Sequence, residues 1–335
     1  MKRRIFVFEF ITGGGLTGQP RLPSSLLREG RLMRDALLRD ACALPDVDIT
    51  LLHDARLPPP DFPAHLVAVT PAPAFDAAFE AAFEHALATA DAALIVAPES
   101  GGVLTALTSR VTSAGKTLLG CDAGACHIGA SKSLTARCLA LAGIPVLPHY
   151  SDAAALPALP GRWVVKPDDG AGCDGLRLVD NMHQAAQALR PGFVAQPWVA
   201  GEARSLNLLC ARGEAVLLSI NRQQLAIDGE HVALAALAVG AVPIDEAYKA
   251  LARRIAAALP GLLGHVGVDV LHTADGPVVV ELNPRLSTSA CALHDTLDCN
   301  LLAATLTAAD GGPLWRPAGA ARPQRIELTE AVDVA

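Results

Sequence analysis

With 335 residues, 51% of them hydrophobic and 18% charged, the chain is too long for one small core and too apolar for disorder; about two or three packed subdomains suit it. Aromatics are only 4% and alanine is abundant, which favours Ala-rich helices laid over sheets and argues against an all-β fold. The formal net charge of −7 excludes a nucleic-acid groove as the main business of the protein, and an anionic nucleotide would need local cations, helix N-termini or metal ions.

The opening MKRRIFVFEFITGGG has the basic and apolar order of a secretory leader. Glu9 interrupts the apolar run, the run is short and no small-residue cleavage site follows, so the expected setting is cytoplasmic. Residues 4–11 read instead as a buried strand, followed by a glycine-rich turn at Thr12–Gly18. Ser24 or Ser25 is placed to cap a helix running to about Ala43. Strands at 47–54 and 92–99 alternate with a helix at 75–90, spaced by Phe75, Phe79 and Phe83, and with a further helix at about 101–115. This order predicts a parallel, doubly wound α/β sheet for the first ~120 residues.

Gly13-x-Gly15-x-x-Gly18 formally matches a dinucleotide fingerprint. A true fingerprint opens a helix at once, whereas Gln19-Pro20-Arg21-Leu22-Pro23 intervenes here. A plain turn, a substrate-side loop at the carboxyl edge of the sheet, and a nicotinamide site are the three readings of this segment.

Beyond residue 120 a helix is predicted at Ser131–Ala142, then GIPVLPHY and an Ala- and Pro-rich connector at 153–161. Strands dominate from 163: RWVVKP, GLRLV, FVAQPWV, ARSLNLLC, AVLLSINRQQ, HVGVDVLHT and PVVVELN. Helices are expected at about 181–189, 244–259 and 289–308, giving one or two α+β subdomains. The apolar stretch Val232–Ile244 is short of a membrane span and holds Gly240 and Pro243. The tail from Gly311 reads as a surface strap or a frayed end. None of the 8 cysteines forms a Cys-x-x-Cys pair or matches a zinc-like His pair, so free thiols are expected.

The most informative segment is HVGVDVLHTADGPVVVELNPR at 265–285. A three-residue turn centred on Asp275 would set Asp269 opposite Glu281, with Asn283 on the same face. Two opposed carboxylates among Val, Leu and Gly call for a cation, and Asp, Glu and Asn offer hard oxygens suited to Mg²⁺ completed by phosphate and water. Arg285, just past the strand, could grip a phosphate or carboxylate with two hydrogen bonds. The competing reading is a sheet face open to water, with Arg285 neutralising one acid.

Lys166 ends a strand and precedes Pro167 and the loop Asp168-Asp169-Gly170-Ala171-Gly172-Cys173-Asp174-Gly175, whose backbone N–H groups could fold over phosphates. Lys132 opens the helix SKSLTARCLALAG. Each lysine could equally be a solvated surface group. Gln196-Pro197-Trp198-Val199 ends a strand ahead of Gly201-Glu202; Pro197 cannot join a central ladder, so an edge or interdomain hinge is expected, able to hold an adenine edge, with Glu202 accepting from ribose hydroxyls. His127, His149 and His294 are candidates for a general base by residue type alone.

Taken in order, the lysine of SKSLTARCLALAGIPVLP, the lysine of VVKPDDGAGCDG, the hinge QPWVAGE and the terminal GVDVL and VVVELNPR resemble the ATP-grasp superfamily over roughly residues 115–310. The resemblance implies an ATP-grasp fold of two α+β subdomains (121–200 and 201–335) behind a preATP-grasp α/β domain (1–120). By that resemblance Lys132, Lys166, Gly170, Ala171 and Gly172 meet the phosphates, Gln196, Pro197, Trp198 and Val199 face adenine, and Glu202 the ribose. Asp269, Glu281 and Asn283 hold Mg²⁺, for which Mn²⁺ can substitute, while Arg285 and Lys166 are catalytic. Asp269 departs from the Glu of many relatives. FEFITGGGL together with ELNPRLSTS is similar to the tyramine–glutamate ligase branch, which serves methanofuran and methylofuran biosynthesis, and the pyrrolysine-biosynthesis ligase branch is also similar. The implied activity is an ADP-forming carboxylate–amine ligation through an acyl phosphate, with small-molecule partners, no nucleic acid or membrane, and a homodimer as one oligomeric state. A ligase adding glutamate to a cofactor tail, a nicotinamide oxidoreductase and a non-catalytic nucleotide sensor are the rivals.

Overall fold

In the computed structural model, which describes residues 2–70, 75–170 and 175–328, the opening apolar run is a buried central strand. The chain begins with β1 (Arg3–Glu9), α1 (Ser24–Cys42), β2 (Val47–Asp54), β3 (His65–Val69), α2 (Phe75–Thr89), β4 (Ala92–Val96), α3 (Val103–Ser113) and β5 (Thr117–Leu118). The strands make a parallel sheet in the order β3-β2-β1-β4-β5. Burial on both faces explains why β1 and β4 read as continuous apolar runs. Phe6 and Phe8 meet Phe83 from α2 edge to face, with ring centroids 5.1 and 5.7 Å apart. Helix α1 follows Pro23, which offers no side-chain cap, so the expected serine cap is absent and Ser24 is already helical.

The second part runs α4 (Ala123–Ala130), α5 (Lys132–Leu141), β6 (Trp163–Pro167), β7 (Arg177–Val179), α6 (Met182–Ala188), β8 (Phe193–Pro197), β9 (Glu202–Ala211), β10 (Glu214–Asp228), β11 (His231–Val242), α7 (Glu246–Ala258), β12 (Gly264–Thr273), β13 (Gly276–Asn283), α8 (Leu293–Leu297), α9 (Leu301–Ala309) and β14 (Gln324–Glu327). Its sheet has the order β13-β12-β9-β10-β11-β7-β6-β8, with β14 added beside β11. Among the described residues the two halves of this sheet are joined at the pairing of His231 with Arg177, with Leu178 N–H donating to the Glu230 carbonyl at 2.8 Å. The segment after α5 touches both ends: Val146 bridges to Val279 of β13, and Tyr150 to Ala195 of β8.

One expected helix changes, and two segments that the sequence left open take definite form. The apolar stretch at 232–244 is largely strand β11, held by pairing with β10 despite its alanines. The helix expected at 289–308 is broken into a 3-10 turn, α8 and α9, because Asp298 takes a left-handed φ of 54° and Asn300 restarts the helix by accepting from Ala303 N–H at 2.8 Å. The tail is a strap, pairing along 324–327 with β11. The seven described cysteines are free, and no described helix is long and apolar enough to cross a membrane.

Candidate active site

The β12–β13 hairpin turns on two residues, Ala274 and Asp275, since Thr273 already pairs with Gly276. That corrects the three-residue turn expected from sequence. Continued evenly, this register would place Asp269 opposite Val280. Val280 is instead an unpaired bulge, and the shift restores the pairing of Asp269 with Glu281 and of Gly267 with Asn283. Gln223 Nε2 donates to one Asp269 oxygen at 2.8 Å and Asn283 Nδ2 to the other at 3.3 Å. Burial pushes the Asp269 carboxyl above its ordinary range, against the pull of these two donors. Glu281 is raised as well, chiefly by burial, with Lys132 and Lys166 opposing.

Both lysines converge on these acids. Lys132 Nζ lies 3.6 Å from Glu281 Oε1 and donates to the Gly170 carbonyl at 2.6 Å. Lys166 is buried in β6, on the alternation opposite Trp163 and Val165, and its charge is felt at both Asp269 and Glu281. Asp168 fixes the start of α5: its carboxylate accepts from Ser131 Oγ (2.7 Å), Ser133 N–H (2.7 Å) and Ser133 Oγ (2.9 Å), and its carbonyl from Lys132 N–H (3.0 Å). Asp169 accepts from Gly101 N–H at 2.8 Å and so ties this segment to the first sheet's loop. Ala171 and Gly172 lie outside the described residues.

Pro197 ends β8, which is an edge strand, as its missing N–H requires. Trp198 follows on the surface and donates its N–H to the Arg162 carbonyl. Gln196 is buried, and its side-chain oxygen has no partner among the described residues. A buried acceptor left open one pair along from Lys166, on the same face of the β6–β8 ladder, fits an exocyclic amino donor such as adenine carries. Glu202 is not brought to the cluster. It pairs with His272, alternating with the face of Ser205 and Asp269, and is held by Arg204 and by Arg222 at 2.8 Å.

Arg285 is half-buried and forms an ion pair with the buried Glu99 at 2.9 Å. Its backbone is braced from beneath: its carbonyl lies 3.0 Å from His265 Nδ1, and His265 Nε2 lies 2.9 Å from Asn207 Oδ1, which also accepts from Ser289 Oγ. Arg285, Asp269 and Asn283 line a cavity of about 370 Å³ between the second sheet and the carboxyl ends of β1 and β4. Two carboxylates and an amide carbonyl suit a hard divalent cation completed by phosphate oxygens. No group of three acidic, His or Cys ligands assembles among the described residues, so the nucleotide would supply much of the coordination.

The glycine loop lines the same cavity through Phe10, Ile11 and Leu16. It is a packed turn in which a Cβ on Gly13 would come within 2.6 Å of the Glu9 carbonyl, and one on Gly15 within 2.4 Å of Phe10. Glu9 holds it by accepting from Ile11 N–H (3.1 Å), Thr12 N–H (2.7 Å) and Thr12 Oγ1 (2.7 Å). Among the described residues no helix starts before Ser24, so the loop presents no helix N-terminus to a dinucleotide. Of the three histidines, His149 is pushed down to about 3 by burial, with Lys166 adding to the effect. His294 sits 3.7 Å from Asp40, and neither it nor His127 lines the cavity.

The sequence named Asp168 only as part of a backbone loop, and Gln223 and Glu99 not at all as site residues. Glu99 carried a usable signal, an acid just past the carboxyl end of a parallel strand; Gln223 carried none.

Comparison with known proteins gives a consistent picture. Residues 47–126 match the pre ATP-grasp 3 domain and residues 129–289 the ATP-grasp domain. The tyramine–L-glutamate ligase of Methanocaldococcus jannaschii is 30% identical over 209 residues, covering 61% of this chain and 58% of that protein. The same enzyme of Methanocaldococcus fervens is 28% identical over 210 residues, 61% of each. The chain thus matches about three fifths of the length of these relatives. An ATP-grasp superfamily protein from Archaeoglobus fulgidus superposes with a TM-score of 0.71 at 22% identity, over 98% of this chain and 100% of the other.

Proposed function

The chain belongs to the ATP-grasp superfamily, with a preATP-grasp domain in front, and from that premise we propose that it is an ADP-forming carboxylate–amine ligase. The observation that carries this reading is the convergence of Asp269, Glu281, Asn283, Lys132 and Lys166 beside a cavity that also holds Arg285.

A carboxylate and an ammonium do not condense in water, so the carboxylate must first acquire a leaving group. In the proposed sequence a carboxylate oxygen takes the γ-phosphoryl group of ATP and ADP departs. The neutral amine nitrogen then attacks the acyl carbon, inorganic phosphate leaves with the C–O bond electrons, and the nitrogen gives up one proton to that phosphate. Mg²⁺ held by Asp269, Glu281 and Asn283 would supply charge neutralisation of the phosphates. The lysines offset further phosphate charge, Gln196 accepts from the adenine amino group, and Arg285 is released from Glu99 to steady the acyl phosphate oxygens. The cavity walls keep water from an intermediate that would otherwise hydrolyse.

The favoured substrates are glutamate, through its γ-carboxylate, and tyramine, in keeping with the names of the relatives and with the apolar cavity lining. An assay of ADP release across amine and amino-acid pairs tests this. Formation of γ-glutamyltyramine, detected by mass, is expected; ADP release only with other pairs removes these substrates and keeps the ligase.

A further inference from the structure

We propose that Glu29 receives the ammonium group of the amine substrate, and that the cavity it lines takes a primary amine on an apolar, aryl-sized body. This rests on the ligase reading above and adds the residue that reads the amine.

The charged side chains lining the cavity are Glu9, Glu29, Asp269 and Arg285. Three of them are committed. Arg285 is paired with Glu99, Asp269 is held by Gln223 and Asn283, and Glu9 is saturated by the three donors of the glycine loop. Glu29 is different: among the described residues its one side-chain donor is Thr288 Oγ1, at 2.6 Å, which leaves the second oxygen for a ligand. Thr288, which holds it, lies three residues past Arg285 and lines the same cavity, so Glu29 stands near the end where an acyl group would be steadied. A carboxylate there repels a second carboxylate and attracts a cation, which separates the two substrates by charge.

The walls define the rest of the ligand. Leu26, Glu29 and Met33 follow at helical spacing on α1 and all line the cavity, so the acid is embedded in an apolar stripe. Leu234 and Leu237 line the opposite side. Residues three apart on an even strand face opposite ways; here Leu225 pairs with Leu234 and Gln224 with Ala236, leaving Ala235 as a bulge that lets both leucines face inward. An ammonium on a hydrocarbon or aromatic body satisfies both the stripe and the acid.

Calorimetric titration of the protein saturated with Mg·ADP tests this, using tyramine, phenethylamine and cadaverine against neutral 4-ethylphenol and anionic 3-(4-hydroxyphenyl)propionate. In Glu29→Gln the affinity for the aromatic amines should fall about tenfold or more, the worth of a charged hydrogen bond, while 4-ethylphenol binds both forms alike. Glu29→Asp, which keeps the charge, should recover part of the loss. Unchanged amine affinity in Glu29→Gln, a propionate that binds as tightly as tyramine, or a protein that binds Mg·ADP but none of the amines overturns the assignment and leaves the ligase reading standing. Failure to bind Mg·ADP at all removes the ligase reading itself.

Discussion

Asp269 faces Glu281 across the β12–β13 hairpin because Val280, between them and the turn, has no partner. The bulge converts an even register that would have opposed an acid to a valine into one that opposes two acids. Glu281→Gln keeps the shape and the pairing but removes a charge. ADP release should fall by roughly 10²-fold or more with the circular dichroism spectrum unchanged, as expected for loss of a group that balances developing charge. Turnover within a factor of about three of wild type would remove Glu281 from the nucleotide site.

Asp168 positions Lys132 without facing the acids itself. Asp168→Ala leaves Ser133 N–H and two hydroxyls without their acceptor, so thermal stability should drop by about 1–2 kcal/mol. KM for ATP should rise as well, because the first turn of α5 sets where Nζ lies. Asp168→Asn retains acceptor capacity at one oxygen and should recover much of both. Loss of stability with an unaltered KM would make the residue a cap and nothing more.

Gln196 makes an unusual pair of expectations, because its side-chain oxygen is buried without a partner. Gln196→Met removes an unsatisfied acceptor, so the ligand-free protein should melt no lower than wild type. The same change should weaken ATP by about tenfold and erode its preference over GTP. Melting curves and nucleotide competition read the two effects separately.

His149 has its pKa pushed down to about 3 by burial, below the 6.5 of an ordinary imidazole. The unfolded chain therefore binds a proton first as pH falls, so the contribution is full above about 6.5 and is lost toward pH 3. The difference in unfolding free energy between wild type and His149→Phe should change by up to about 1.4 kcal/mol per pH unit across that window, in favour of the variant at low pH. Denaturant curves at several pH values measure it; a constant difference would show that the imidazole titrates normally.

Much of the scaffold was legible because period and chemistry agreed. The runs at 5–8 and 92–97 are uniformly apolar, and a strand buried on both faces has no other pattern to show. The hairpin was legible in outcome but not in construction. Val278, Val279 and Val280 are interchangeable to any pattern, so nothing in the sequence says which one is left unpaired. Strand β11 was obscured by its alanines, which favour helix intrinsically and adopt strand here through pairing with β10. Glu202 illustrates a different limit: its place beside the hinge suggested a ribose, while its face of β9 is set by alternation and offers Arg204 and Arg222 instead.

At the Ala235 bulge on β11 the tail extends the β14 pairing by one residue, with Leu328 N–H donating to the Ala235 carbonyl at 2.9 Å. On the proposed reading, amine selectivity is thereby linked to a stretch of chain far along the sequence from any reactive group. Drift in residues 324–328 could retune which bodies Leu234 and Leu237 accept, giving selection a remote handle on specificity that leaves the phosphate-handling residues untouched.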